Sequence, residues 1–454
     1  MQPPFDIAAD LHTPVSAYLR LRRLGPRYLL ESVEGGSQGR YSFIGFGQAT
    51  EVGIDANGVH LNGNPLSADI LDGLREALAA APVCGPAIGG QPFNGGLVGV
   101  TAFDLVRSFF RLPQSPFERS VPLGSYMATD SILVFDHLTR RMALLHSGSE
   151  EDRQSLRAEV VEALKGPVEA ESRPSNHSDT TASMSRAEYM DAVVRAKEYI
   201  RAGDVYQIVP AMRFGGETEI DPFLAYRALR LLNPSPYMYF LDFDHTQVVG
   251  SSPEVLVKMR DVTAQVRPIA GTRPRGETDE RDLFFERELL ADSKEAAEHV
   301  MLVDLARNDL GRTAVAGSVK VDPYRVIEKY SHVMHLVSGV TSTVRPGLDA
   351  FDLFAATFPA GTVTGAPKLR AIELIDELEP VNRDLYAGSV GYFGHGGSMD
   401  QAITIRTLVF QNGRFSFQAG AGIVADSDPE AEYEEALSKA AALRAALDLA
   451  KAGL

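Results

Sequence analysis

Cysteine occurs once in the 454 residues, at Cys84, which excludes an intramolecular disulfide and a zinc site built on cysteines. Its setting, Ala81-Pro-Val-Cys-Gly-Pro86, reads as a turn and carries no nucleophile signature. Positive charge is also scarce: 44 Lys and Arg against 60 Asp and Glu give a formal net charge of -16. A nucleic-acid binder needs basic stripes, so that class is set aside. For the same reason an anionic substrate would need local cations or a metal. No apolar run approaches the length of a membrane span. The opening MQPPFDIAAD has no basic region followed by an apolar stretch. No signal peptide is therefore expected, and the expected compartment is the cytoplasm. What remains, with 44% hydrophobic and 23% charged residues, is the composition of a soluble globular protein large enough for several cores.

Residues 1–165 read as mixed α/β. Strands are expected over 27–32 and 41–46 around a turn at 33–39, with a helix over 68–81 and a buried strand over 95–100. Segments 130–135 and 142–146 form an expected hairpin. Residues 166–185 are polar, with Pro and Ser and no periodicity, and read as a linker. Ser185 with Glu188 then resembles a capping box. From 186 to 454, expected helices cover 187–201, 222–232, 279–308, 349–356, 367–378 and 429–451. Expected strands include 205–214, 236–243, 247–250, 254–259, 263–268, 387–393, 399–410 and 414–419, with Asn412-Gly413 as a hairpin turn. Adjacent strands with helices between them predict an α+β fold. Antiparallel β-sheets would be layered with helices around a central cleft, without a regular βαβ winding.

Four groups of residues could carry chemistry. The stretch Pro359–Glu379 runs from a small-residue loop into a helix with apolar Leu369, Ile372, Ile375 and Leu378. Its helix N-terminus, with Thr364 and Lys368, would suit a carboxylate or phosphate. Two pairs of glutamates stand at i, i+3 spacing on separate helices, Glu295 with Glu298 and Glu432 with Glu435. Apolar residues crowd both pairs, so they read less as solvated faces than as a seat for a hard cation such as Mg²⁺. Glu254 opens a strand after Gly250-Ser-Ser-Pro, and His335 shares a strand face with Val333 and Val337. A histidine so placed is more often a hydrogen-bonded core group than a catalyst. Finally, Gly271-Thr272 among three arginines and the run Gly420-Ala421-Gly422 offer bare backbone to an anion, while Tyr386 and Arg406 flank the last hairpin.

Together these motifs resemble the chorismate-utilising enzymes. The resemblance rests on FPAGTVTGAPKLRAIELIDELEP, GSVGYF, DQAITIRTLV, QAGAGIVADSDPEAEYEE, RPIAGTRPRG and LLADSKEAAEHVMLVDLARNDLGR. It covers nearly all of 186–454 and, more thinly, the N-terminal part. Members bind chorismate through Mg²⁺ and differ in the nucleophile that attacks the ring. The isochorismate- and salicylate-forming members carry a lysine base where this chain has Gln207, so ammonia is the expected nucleophile. The aminodeoxychorismate-forming members often carry a lysine where this chain has Ala270 and read Tyr-Gln-Val-Asn-Leu where it has Tyr-Gln-Ile-Val-Pro. Both departures point to the anthranilate-forming large subunits. Aminodeoxychorismate formation, and a non-catalytic tryptophan-binding regulator, stay open as alternatives.

The resemblance implies roles. Mg²⁺ would be held by Glu298 and Glu435, with Glu295 and Glu432 in support. Gly271, Thr272 and Gly422 would bind the ring carboxylate, with Gly420 and Ala421 also substrate-binding, and Tyr386 and Arg406 would bind the enolpyruvyl carboxylate. Glu254 and His335 would move protons. Thr362 and Lys368 are added from the loop before the helix, and Gln207 from its place near the nucleophile. Leu29-Leu-Glu31-Ser32 and Asn233-Pro-Ser-Pro236-Tyr237-Met238 resemble the two halves of a tryptophan-feedback site, in which Glu31, Ser32, Pro236, Tyr237 and Met238 would meet the ligand, Glu31 its ammonium. The expected division is a regulatory region 1–165, a linker 166–185 and a catalytic region 186–454. Cys84 lacks the context of a glutaminase nucleophile, so a separate glutamine amidotransferase subunit is expected, in a heterodimer or heterotetramer.

Overall fold

The structure, a computed structural model, describes residues 4–32, 39–168, 176–330 and 333–454. Two long strands, Tyr41–Asp55 and Gly124–Asp136, pair along most of their length and belong to both layers of the fold. From the first runs an antiparallel arm of Pro26–Glu31, Tyr237–Asp242, Thr246–Ser252, Thr407–Gln411, Arg414–Gly420 and Ala211–Glu217. From the second runs another, through Gly96–Thr101, Ser389–Gly394, Met399–Ile403, Val255–Arg260, Thr263–Val266 and Val340–Thr343. The arms face each other across an apolar core that includes Tyr28, Phe43, Val98, Val100, Tyr239 and Tyr392. The fold is therefore α+β, with antiparallel sheets layered with helices.

Strand periodicity decides which core each residue joins. In Tyr237–Asp242, Tyr237, Tyr239 and Leu241 face the opposing sheet, whereas Met238 and Phe240 face the helices outside. The outer face of the first arm is covered by Arg186–Ala202, Pro222–Leu232 and Pro429–Ala452. That of the second is covered by Ile70–Ala80, Ser293–Gly311 and Ala350–Thr357. Strands from the first 165 residues pair directly with later ones: Pro26–Glu31 lies against Tyr237–Asp242, and Gly96–Thr101 against Ser389–Gly394. A small separate sheet of Ile269–Pro274, Val333–Val337 and Val326–Lys329 stands beside the second arm.

Several expected elements divide. The helix expected over 279–308 is two, Asp279–Ala291 and Ser293–Gly311. Asp292 breaks it by capping the second helix, accepting from the N–H groups of Lys294 at 2.9 Å and Glu295 at 3.2 Å. The strand expected over 399–410 breaks at Arg406, whose φ of 50° lies in the left-handed region. The strand expected over 205–214 breaks before Ala211. Gln207–Ile208 pairs with Gly365–Ala366, while Ala211–Glu217 joins the main sheet past the donor-less Pro210. The helix after the 361–366 loop runs Lys368–Leu378, with Pro367 as its N-cap and not its first helical residue. Most of the expected turn at 33–39 lies outside the described residues. Within the expected linker, Thr181–Ala182 pairs with Phe214 and Gly215. Among the described residues no helix is long and apolar enough to cross a membrane.

Candidate active site

Helix geometry brings the two glutamate pairs together. Glu298 is half-buried. Its carboxyl is raised above the ordinary range first by desolvation and then by the charges of Glu295, on its own helix, and Glu435, on the helix Pro429–Ala452. Glu432 is raised likewise, by desolvation and then by Glu435, against a lowering hydrogen bond from Ser427. Cations answer this cluster: Lys294 offsets the charges of Glu298 and Glu432, and two more make direct contacts. Lys439 lies 2.8 Å from Glu435, and Arg273 Nη1 lies 3.2 Å from Glu295. The donor set suits a hard divalent cation. Four carboxylates are present, and those of Glu295, Glu298 and Glu435 repel one another, a repulsion that a bound Mg²⁺ would relieve. Among the described residues no three acidic or imidazole groups converge closely enough to hold an ion as they stand.

The small sheet supplies the next wall. Gly271 has φ 60°, and a Cβ there would come within 3.0 Å of Glu295 Oε2 and 2.6 Å of Leu289, so only glycine lets this backbone lie against the acid helix. His335 pairs with Thr272 across the ladder. Its Nδ1 lies 3.0 Å from the Gly271 carbonyl and 3.1 Å from Thr272 Oγ1. A carbonyl can only accept, so Nδ1 carries the proton and Nε2 is the basic nitrogen. Glu254 stands just before Val255–Arg260, where its carbonyl accepts from the Ile403 N–H at 3.0 Å. Burial raises its carboxyl to about 7, against lowering contributions from the neighbouring Thr362 hydroxyl, Lys439 and Arg406. Glu254 and Thr362 line a cavity of about 40 Å³ with Arg267, Asp309 and Thr357.

Backbone approach defines the far side. A Cβ on Gly422 would meet Gln207 Nε2 at 2.7 Å, and one on Gly420 would meet the Pro210 carbonyl at 2.2 Å. The Ala421 N–H donates to the Tyr189 hydroxyl at 3.2 Å, and Lys439 Nζ donates to the Gly420 carbonyl at 3.0 Å. Tyr386 is raised to about 12 by desolvation, with the Arg383 guanidinium pulling it back. Arg406 Nη1 donates to Asn233 Oδ1 at 3.3 Å. Lys439 thus touches the glycine run and Glu435 and acts electrostatically on Glu254, Glu298 and Glu432. Its only signal in the sequence is its place one helical turn after Glu435 on the same face. Lys368, expected at an anion site, is instead buried, with Nζ 2.9 Å from Asp309 Oδ2 and 2.9 Å from the Thr357 carbonyl. Thr364 Oγ1 donates to the Ala360 carbonyl at 2.9 Å. The helix N-terminus at Lys368 therefore spends its polar side chains on the protein itself.

A second cavity, of about 130 Å³, lies between the two sheet arms. Glu31, Ser32, Pro236, Tyr237 and Met238 all line it, with Lys258, Tyr392 and Asp400. Its walls are apolar except at one end, where Asp400 accepts from the Tyr237 hydroxyl at 2.9 Å and pairs with Lys258 at 3.1 Å. The Glu31 carboxylate, expected in the tryptophan-feedback site, points the other way. It accepts from Arg230 Nε at 3.0 Å and from the Tyr226 hydroxyl on the outer helix. Met238 also packs into the outer core. Strand alternation explains both, so Glu31 and Met238 give the cavity their main chain, and its acid is Asp400.

A family model described as chorismate binding enzyme matches residues 25–445. The chain is 46% identical to anthranilate synthase component 1 of Pseudomonas aeruginosa, over 98% of this chain and 95% of that protein. It is 45% identical to anthranilate synthase component 1 of Thermus thermophilus, over 98% and 97% of the two chains. Among solved structures, anthranilate synthase component I from Streptococcus pneumoniae superposes with a TM-score of 0.81 at 35% identity, covering 96% of this chain and 98% of that one.

Proposed function

The chain belongs to the chorismate binding enzymes, and on that footing we propose that it is the large subunit of an anthranilate synthase. It converts chorismate and ammonia to anthranilate and pyruvate. The observation that carries this reading is the convergence around Lys439. Among residues far apart in the chain, Gly420 and Glu435 touch it, and Glu254, Glu298 and Glu432 lie close enough to feel its charge.

The protein's own groups divide the work. Gly271, Thr272 and Gly422 offer main-chain and hydroxyl donors to the ring carboxylate, while the Ala421 N–H is given to the Tyr189 hydroxyl. Arg406 and Tyr386 grip the enolpyruvyl carboxylate. Glu254, raised to about 7, is protonated often enough near neutrality to give a proton to the departing C4 hydroxyl. His335, with its proton fixed on Nδ1 by the Gly271 carbonyl, presents Nε2 as a base. Glu298 and Glu435, supported by Glu295 and Glu432, would hold Mg²⁺, whose charge would bind and neutralise the substrate's ring carboxylate. Gln207, a neutral amide against Gly422, supplies no base to activate water, which favours ammonia as nucleophile.

Cys84 is buried, its thiol donates to the Asp130 carbonyl at 3.4 Å, and burial pushes its pKa up to about 12. Such a thiol is a poor nucleophile, which supports a separate glutamine amidotransferase as the source of ammonia. The inter-sheet cavity is read as a tryptophan-feedback site shared between the 1–165 region and the later chain, and residues 186–454 as the catalytic region. The test is direct. Purified chain given chorismate, Mg²⁺ and an ammonium salt should yield anthranilate, read by fluorescence, and glutamine in place of ammonium should yield none. Aminodeoxychorismate as product, or no product, would sink the assignment. Glutamine-dependent turnover by the single chain would sink the separate partner.

A further inference from the structure

The inter-sheet cavity and the substrate site share one short segment. Helix Pro222–Leu232 ends at Asn233, and three residues later Pro236, Tyr237 and Met238 line the cavity. Asn233 itself faces the other way: its Oδ1 accepts from Arg406 Nη1 at 3.3 Å and lies 3.1 Å from Ser251 Oγ, whose hydroxyl also reaches the Asn233 main-chain carbonyl. Ser251 closes the circuit. Its hydroxyl lies 2.9 Å from Ser235 Oγ, its N–H donates to the Arg406 carbonyl at 3.1 Å, and in the ladder it faces Met238. Both serines are buried, Ser251 at 0% and Ser235 at 1% exposure. A buried hydrogen-bonded network is costly to break piecemeal, so its members move together. Arg406 also sits at φ 50°, where a residue with a side chain is held by its surroundings more than by its own preference.

We propose that Asn233 is a positioning residue. It sets the Arg406 guanidinium for the substrate carboxylate and, through Ser251 and Ser235, couples that arginine to occupancy of the inter-sheet cavity. The coupling half rests on the tryptophan-feedback reading of that cavity. A ligand wedged against Pro236–Met238 displaces the segment that Asn233 begins. Such a ligand lowers affinity for the substrate only so far as the displaced arrangement holds Arg406 less well.

Two variants test this. Asn233→Ala removes one acceptor of Arg406, and Ser251→Ala leaves that acceptor but cuts its link to Ser235. Ammonia-dependent turnover gives KM for chorismate and kcat, with and without saturating L-tryptophan. Calorimetry gives tryptophan binding directly, and thermal melting reports folding. Asn233→Ala should raise KM for chorismate about three- to tenfold with kcat nearly unchanged. In both variants the factor by which tryptophan raises KM should fall toward one, while calorimetry still detects tryptophan near its wild-type affinity. Unchanged KM in Asn233→Ala overturns the positioning role. An unchanged tryptophan factor in Ser251→Ala overturns the coupling, and that variant decides the point alone if Asn233→Ala melts early. Loss of tryptophan binding together with its effect also overturns the coupling, because the residues would then only shape the cavity. If the wild type binds no tryptophan, the feedback reading fails and the coupling with it, while the KM comparison still judges the positioning of Arg406.

Discussion

In the acid-lined site the paired glutamates come from helices, and in the inter-sheet cavity the charged side chains come from strands. Glu295 with Glu298, and Glu432 with Glu435 and Lys439, stand on helix faces where i, i+3 and i+4 neighbours coincide whatever surrounds them. In the cavity, Ser32 and Glu31 are neighbours in sequence, yet the Glu31 carboxylate reaches Arg230 and Tyr226 on the far side of the sheet. The electrostatics differ as well. Burial, and after it repulsion from neighbouring helix-borne acids, raises Glu298 and Glu432. The acid of the cavity, Asp400, is balanced by Lys258 and a tyrosine hydroxyl. A site that stores repulsion is suited to a cation. One that is already balanced and walled by aromatic rings is suited to a neutral or zwitterionic apolar ligand.

The largest expected effect lies on the side of repulsion. Glu298→Gln or Glu435→Gln should cut Mg²⁺-dependent turnover by about 10³-fold, since a metal's charge stabilisation is several kcal/mol. For Glu298→Gln the melting temperature should hold or rise at neutral pH. A carboxyl whose folded pKa is raised is strained when ionised, and the amide removes that strain. Normal turnover with Mg²⁺ in either variant would erase the contrast between the two regions.

Next comes Glu254. Its carboxyl is raised from 4.5 to about 7, so the proton-donating form predominates below that pH and is lost above it. With saturating substrates the rate should show a limb that falls above about pH 7. Glu254→Gln should lose about 10²-fold in rate and the limb with it. Linkage has the same sign. The stability that the protonated group contributes is fully present below 4.5 and disappears as pH rises through about 7, so the variant should melt with less pH dependence across that interval. A pH profile unchanged in the variant would assign the proton to another group, with His335 the next candidate.

The smallest effects sharpen the cavity. Asp400→Asn should weaken tryptophan inhibition about tenfold or more, because it removes a charged partner for an ammonium. Ser32→Ala should weaken it about three- to tenfold, with activity in the absence of tryptophan barely changed. Inhibition curves at fixed chorismate measure both. If both variants give the wild-type curve, the cavity does not take tryptophan.

Much of the molecule is determined by local rules that a sequence displays. The glutamate pairs, the Ser185 cap, the Asn412-Gly413 turn and the helix that follows the Pro359–Pro367 loop need only their own neighbours, since helix spacing and turn preference act over a few residues. Gly271 and Gly422 could be marked as places of close backbone approach, and a Cβ at either would collide with its neighbours. What only the tertiary structure decided is the direction and the partner of each polar group. Lys368 reads as an anion ligand until the helix Ser293–Gly311 sets Asp309 against it. Glu31 reads as a cavity acid until the outer helix sets Arg230 against it. Lys439 stands one turn past Glu435 in any reading, but its reach to Glu254, Glu298 and Gly420 exists only once three distant segments meet. A strand has two faces and a lysine a long arm, so which face is core and which acid is nearest are properties of the packed chain, not of its order.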